Sequence, residues 1–292
     1  MSYAVFTDAC SNLPGRVLEE LNIRVLPCSY LMDDVPYTYA GDIDAFDAKD
    51  FYDKLRSGST MKTSLINSQL FADHFRTALE QGEDVVYVGL SSGVSGTLQA
   101  ARIAAEDLME EFPDRTVRVV DSLGAALGPG LLACRASQLR SEGKTAAEAG
   151  EILDDDVVHL LQYFTVDDLN FLKRTGRVSG ATAAIGTVLN IKPLLWGDPT
   201  GHIVALSKCR GRKKAIEAII ELYRTRAIDP ENQVIGITHG DCPEEAQLLA
   251  EKVCAVAQPK ELIIVPHEPF TGAHVGPGML ALYFFGKGRE EK

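Results

Sequence analysis

Val85-Val-Tyr-Val-Gly-Leu-Ser-Ser-Gly-Val-Ser-Gly-Thr97 runs on into Leu98-Gln-Ala-Ala-Arg and ends near Phe112. The opening residues form a short apolar, β-branched run, the pattern of a strand buried on both faces. From Leu98 onward, Ala101, Ala105, Leu108 and Phe112 recur at spacings of three and four, which is one apolar face of a helix. Between them lie three serines and two glycines, too polar and too flexible for either element. A strand, a hydroxyl-rich turn and a helix leave free backbone N–H groups facing an anion at the helix start. Ser95, Gly96 and Thr97 surround that spot. Taken alone, the same residues also read as an ordinary helix cap.

Outward from this unit, strands and helices alternate along the first half of the chain. The pattern predicts strands at 3–7, 23–31, 85–89 and 117–120, with helices at 15–21, 50–58, 68–81, from 98, 131–142 and 145–155. Thr145 and Glu148 form a capping-box pair for the last of these. The stretch 33–50 reads as an acidic loop containing Asp42, Asp44, Asp47 and Asp50, and 60–68 as a hydroxyl-rich connection. The acidic spacing lacks the oxygen ligand and glycine that a calcium loop requires. Such alternation predicts a largely parallel sheet, with ligands beyond the carboxyl ends of its strands.

From about residue 158 the rhythm changes. Strands are predicted at 159–166, 234–238, 262–265 and 280–285. Segments 192–196 and 202–208 form a hairpin around Gly197-Asp-Pro-Thr-Gly201. Helices are predicted at 167–174, 181–189, 211–226 and from Pro243 to about 256, which gives a mixed or antiparallel sheet. The fold class is therefore α/β with two domains, 1–157 and 158–292, as the 292-residue length allows.

The totals exclude several functions. With 29 basic against 41 acidic residues the net charge is −12, which argues against nucleic acid or an anionic membrane as partner. No apolar run is long enough to span a bilayer, and no signal peptide precedes the first strand. Six widely separated cysteines without a Cys-x-x-Cys pair favour reduced thiols in the cytoplasm over a disulfide framework or zinc site.

Two other motifs invite chemistry. Gly89-Leu-Ser-Ser-Gly93 is a G-x-S-x-G string after a strand, and Ser91, Asp121 and His274 follow the chain order of an α/β-hydrolase triad. Against this alternative, a serine esterase, the helix begins several residues too late and no glycine-rich oxyanion loop lies upstream. His274 itself sits in Thr271-Gly-Ala-His-Val-Gly-Pro-Gly278, where glycine and proline hold backbone close to something or simply make a turn. The run Lys208-Cys-Arg-Gly-Arg-Lys-Lys214 is basic in an acidic chain and opposes a helix dipole.

In order, the chain contains Phe6-Thr-Asp with Asn12-Leu-Pro14, Thr63-Ser64, Ser91-Ser-Gly-Val-Ser-Gly-Thr97 with Gln99-Ala-Ala, and Val120-Asp-Ser122. Phe164-Thr-Val-Asp-Asp-Leu169, Thr175-Gly-Arg-Val178, Ile185-Gly-Thr-Val-Leu-Asn-Ile-Lys-Pro193, Arg210-Gly-Arg-Lys-Lys214 and His274-Val-Gly-Pro-Gly278 follow. Together these resemble the DegV family of bacterial fatty-acid-binding proteins over nearly the whole length. The resemblance implies two α/β domains with a long-chain fatty acid bound non-covalently between them and no other cofactor. It implies that Thr63, Ser95 and His274 hold the carboxylate, with Ser92, Gly96, Thr97 and Gly276 in support. It further implies a non-catalytic subunit that presents the carboxylate to a separate ATP-using fatty-acid kinase subunit. Arg174, Arg177 and Arg210, with Arg212, Lys213 and Lys214, are the expected docking cations. The chain departs from the family pattern at Ala9-Cys10, where Ser-Ser is usual, and at Leu65-Ile66, where Gln-Pro is usual. It departs again at Thr175-Gly-Arg-Val178, usually Gly-Gly-Arg-Ile. The first two departures bear on chain selectivity and the third on partner recognition.

Overall fold

A computed structural model describes residues 2–178, 182 and 190–289. The helix predicted at 181–189 lies outside the described residues, apart from Thr182. The chain divides into two compact units, 1–45 with 61–157, and 46–60 with 158–292. The expected first domain is the continuous span 1–157. The segment 46–60 instead groups with the second unit, because its helix buries Phe51 and Tyr52 there and Tyr52 donates to the carbonyl of His267 at 2.9 Å.

The first unit is built on four parallel strands in the order β2-β1-β6-β7, where β1 is Tyr3–Asp8, β2 Ile23–Leu26, β6 Asp84–Gly89 and β7 Val117–Asp121. Val85, Val86, Tyr87 and Val88 are buried, as their unbroken apolar run predicts. Beside them Phe6, Phe71, Phe75 and Tyr87 form an aromatic cluster with ring centroids 5.0–5.8 Å apart. Helix α3 (Ser68–Glu80), which supplies Phe71 and Phe75, is capped by Asn67, and helix α4 is Thr97–Glu111. Thr145 and Glu148 close the expected capping box, with the Thr145 N–H and hydroxyl 2.8 and 2.9 Å from the Glu148 carboxylate.

A small antiparallel sheet, β4-β3-β5, was not expected. The predicted strand 23–31 breaks at Pro27, and β3 (Cys28–Met32) joins this second sheet. The predicted acidic loop contains β4 (Val35–Tyr39), and the predicted connection 60–68 contains β5 (Met61–Ser64). Both strands exist through pairing with β3. Their largely exposed positions gave no buried-strand pattern of their own.

The second unit holds a six-stranded mixed sheet, β10-β9-β8-β13-β11-β12. Its strands are β8 Leu160–Thr165, β9 Ile191–Gly197, β10 Ile203–Arg210, β11 Val234–His239, β12 Glu261–Pro266 and β13 Leu280–Phe285. Among the described strand pairs of this sheet only β11–β12 is parallel, and β9 with β10 forms the predicted hairpin. Helices α8 (Arg212–Arg226) and α9 (Pro243–Val256) cover a core that includes Ile216, Ile219, Tyr223, Leu249 and Phe284. The fold class is thus the expected one, a parallel-sheet unit followed by a mixed-sheet unit. Among the described residues, no helix is long and apolar enough to cross a membrane.

Candidate functional site

The carboxyl ends of β1 and β6 lie side by side, with Thr7 opposite Val88. The Thr7 hydroxyl donates to the Val88 carbonyl at 2.9 Å. The fully buried Asp8 carboxylate accepts from the Tyr87 hydroxyl at 2.7 Å and from the Leu90 N–H at 3.3 Å. Burial pushes the Asp8 carboxyl above its usual range, and these hydrogen bonds oppose the shift. Asp8 therefore fastens the start of the hydroxyl-rich turn to the neighbouring strand. Nothing in the sequence alone marks Asp8 for this role beyond its place as an acid at the end of an inner parallel strand.

Beyond Leu90 the turn folds back on itself. The N–H groups of Val94 and Ser95 donate to the Ser91 carbonyl, and Gly93 N–H donates to Ser91 Oγ at 3.1 Å. The Ser91 side chain is 1% exposed. Asp121 Oδ1 accepts from the N–H groups of Ser92 and Leu123 at 3.2 and 3.1 Å. The two hydrolase candidates on this unit therefore act as turn-closing groups, and the helix begins at Thr97 rather than at Ser91. Gly96 caps α4 without a side chain, while Ser95 Oγ lies 3.1 Å from Thr97 Oγ1 and accepts the Thr97 N–H at 3.3 Å. Ser95 and Gly96 are partly or fully exposed, Thr97 is buried, and Ser92 is exposed.

Thr63 is half-buried on β5, paired opposite Tyr30 of β3. Two residues further on, Leu65 is 56% exposed and reaches over the turn. Its Cδ1 lies 3.4 Å from where a Cβ on Gly96 would stand. The first unit thus brings together the β5 end that follows Thr63 and the Ser95–Thr97 turn. Leu65, one of the family departures, lies between them.

His274 belongs to the second unit and lies in the last turn of helix α10 (Pro269–Val275). The glycine-rich reading of this segment as a turn missed the helix. Its signal was Glu268 followed by Pro269, an acidic cap with proline at the first helical position. The buried Glu268 carboxylate accepts the N–H groups of Phe270 and Thr271, and also the Thr271 hydroxyl. His267 is fixed through Nδ1 to the Thr238 hydroxyl at 3.0 Å and through Nε2 to that of Thr271 at 2.7 Å. Burial first, and the Arg177 guanidinium second, hold the His274 imidazole down at about 4, so it is neutral near pH 7. Gly276, at φ 76°, ends the helix against Phe171.

The expected docking cations differ in their surroundings. Arg174 is exposed at the end of α7 (Asn170–Arg174) and stacks on the Phe171 ring at 4.4 Å. Arg177 is half-buried and donates to the Thr175 carbonyl. Arg210, Lys213 and Lys214 are exposed. Arg212 pairs with Glu245 at 2.7 Å, which accounts for a cation at this helix start without a partner protein.

Among metal-ligating types, Asp8, Cys10 and Cys28 lie within 4.8 Å of one another, and all are buried. The wide spacing of the cysteines in sequence concealed that Cys10 and Cys28 touch, with their sulfurs 3.6 Å apart.

A parallel α/β unit ending in a hydroxyl-rich turn, with a mixed-sheet unit bearing a half-buried neutral histidine, defines a two-unit α/β protein. The chain belongs to the DegV family: the family profile, described as that of uncharacterised proteins, matches residues 2–287. It is 36% identical to a DegV domain-containing protein of Clostridium perfringens over 292 residues, covering 99% of each chain. A DegV family protein from Thermus thermophilus, solved as a study of fatty acid binding, has 32% identity and a TM-score of 0.86. That match covers 98% of this chain and 100% of that one. Bacillus subtilis DegV, solved as a fatty acid binding protein, has 28% identity and a TM-score of 0.83, at 98% and 100% coverage.

Proposed function

We propose that this protein is a cytoplasmic carrier that binds one long-chain fatty acid non-covalently. Thr63, Ser95 and His274 hold the carboxylate, with Ser92, Gly96, Thr97 and Gly276 shaping the surroundings. The observation that carries this reading is the full-length match to the Thermus fatty-acid-binding protein, and the hydroxyl and imidazole groups that the family resemblance singles out suit a carboxylate. A carboxylate leaving water must meet several donors at once. Two hydroxyls, a neutral imidazole and the N–H groups starting α4 are of the right kind, each hydrogen bond to the charge contributing about 1.5–3 kcal/mol. The acyl chain adds about 0.8 kcal/mol per buried methylene. The protein catalyses nothing itself. It presents the carboxylate to a separate ATP-using kinase subunit for acyl-phosphate formation, with Arg174 and Arg210 on the docking face.

The test is titration of delipidated protein with a fluorescent fatty acid, alongside an organophosphonate probe. Ser95→Ala and His274→Ala each weaken binding about tenfold, 1.4 kcal/mol, and Ser91→Ala weakens it less. The probe labels nothing above background. Ester turnover abolished by Ser91→Ala would assign the site to a hydrolase instead.

A further inference from the structure

Cys10 and Cys28 are both reduced, each 1% exposed, with sulfurs in contact at 3.6 Å. They come from different sheets. Cys10 lies in the 3-10 turn Ala9–Ser11 that follows β1, where its N–H donates to the Asp8 carboxylate at 2.9 Å. Cys28 opens β3, whose next two residues pair with Ser64 and Thr63 of β5. The same Asp8 carboxylate holds Leu90 N–H at the head of the Ser91–Ser95 turn. The thiol pair therefore links the turn after β1, which Asp8 ties to the head of the Ser91–Ser95 turn, to the strand paired with the one carrying Thr63.

We propose that Cys10 and Cys28 are an oxidisable pair, closed to a disulfide by hydrogen peroxide, whose closure alters the geometry between Thr63 and Ser95. A metal fits less well. Both Asp8 oxygens already accept hydrogen bonds, from Cys10 N–H on one side and from Tyr87 and Leu90 on the other. That leaves two thiols where zinc takes four ligands, at least three of them from the protein. Burial selects a small neutral oxidant. The Cys10 thiol passes its proton to Asp8, and the thiolate attacks a peroxide oxygen. The O–O bond breaks, and the departing hydroxide takes the proton back from Asp8 and leaves as water. Cys10 is now a sulfenic acid. The Cys28 sulfur attacks the Cys10 sulfur, the S–O bond breaks, and hydroxide leaves with the Cys28 proton as a second water. Two thiols and one peroxide thus become one disulfide and two waters. Closing from 3.6 Å to bonding distance moves the sulfurs together by about 1.5 Å, which the turn and the start of β3 must absorb.

The cross-link stands independently of the function, whereas its effect on ligand rests on the reading of Thr63 and Ser95 above. Reduced full-length protein is exposed to hydrogen peroxide, remaining thiols are alkylated, and the peptides are mapped by mass spectrometry. The expected product is a Cys10–Cys28 linked peptide that disappears on re-reduction and is absent from Cys28→Ser. Recovery of both cysteines alkylated while Cys134 or Cys254 carries the oxidation would overturn the pair. So would stoichiometric zinc in the reduced protein that is lost in Cys28→Ser. In a second arm, the cross-linked protein binds a fluorescent fatty acid about tenfold more weakly than the reduced protein. Reductant restores binding, and Cys28→Ser shows no change with peroxide. Equal affinity in cross-linked and reduced protein would overturn the coupling. A reduced protein that binds no fatty acid would instead overturn the proposed function and leave the disulfide standing.

Discussion

The Phe171 ring occupies the space that a side chain on Gly276 would need: a Cβ there would stand 2.5 Å from Phe171 Cδ2. Gly276 also has φ 76°, a backbone conformation other residues rarely adopt. Two constraints therefore meet two residues after His274, one from the backbone and one from packing.

Gly276→Ala should cost about 2–3 kcal/mol of stability, read from the urea midpoint, because strain and collision add. Phe171→Ala in the same background removes the collision but leaves the backbone strain. The double variant should recover part of the loss relative to the sum of the single changes. Strict additivity would show that the two positions do not interact.

His267 and His274 set a pH dependence. Burial lowers His267 to about 3 and His274 to about 4, both below the ordinary 6.5. Between these values the unfolded chain binds protons that the folded chain refuses. Stability therefore falls as pH drops from 6.5 toward 4, and neither group contributes a slope above 6.5. Denaturant midpoints should be level from pH 7 to 8 and lower at pH 5.5. His274→Gln should reduce that drop, and a wild-type midpoint unchanged at pH 5.5 would contradict the assignment.

Much of the architecture was legible because its cues are local. Thr145 and Glu148 announce a helix start, Gly197 to Gly201 a hairpin, and Val85 to Val88 a buried strand. The β4-β3-β5 sheet was not, since Val35–Tyr39 is an exposed edge that becomes a strand only by pairing with distant residues. Phe46–Thr60 joined the second unit through Tyr52 and His267, 215 positions apart, which no local pattern encodes. Glycines around His274 hid a helix that Glu268 caps. Thr63, Ser95 and His274 drew notice only as parts of longer motifs, because single hydroxyls and imidazoles are common in turns. Asp8 and the Cys10–Cys28 contact depend on strand adjacency, and so became visible only with the fold.

Arg174 and Arg210 should act on association with the kinase subunit and not on the ligand. Arg177 is set aside because its charge faces His274. Arg174→Glu with Arg210→Glu should leave fatty-acid affinity unchanged and slow acyl-phosphate formation in a reconstituted system. Added salt should slow the unmutated protein in the same way, since charge pairs at an interface rim act mainly on the on-rate. A double variant phosphorylated at the original rate across ionic strengths would remove these residues from the docking face.

The most direct measurement is denaturing extraction of the purified protein followed by quantitative lipid mass spectrometry. The account predicts one long-chain fatty acid per chain, recovered as the free acid and therefore not covalently attached. Protein that emerges free of lipid and takes up neither added palmitate nor oleate would contradict it.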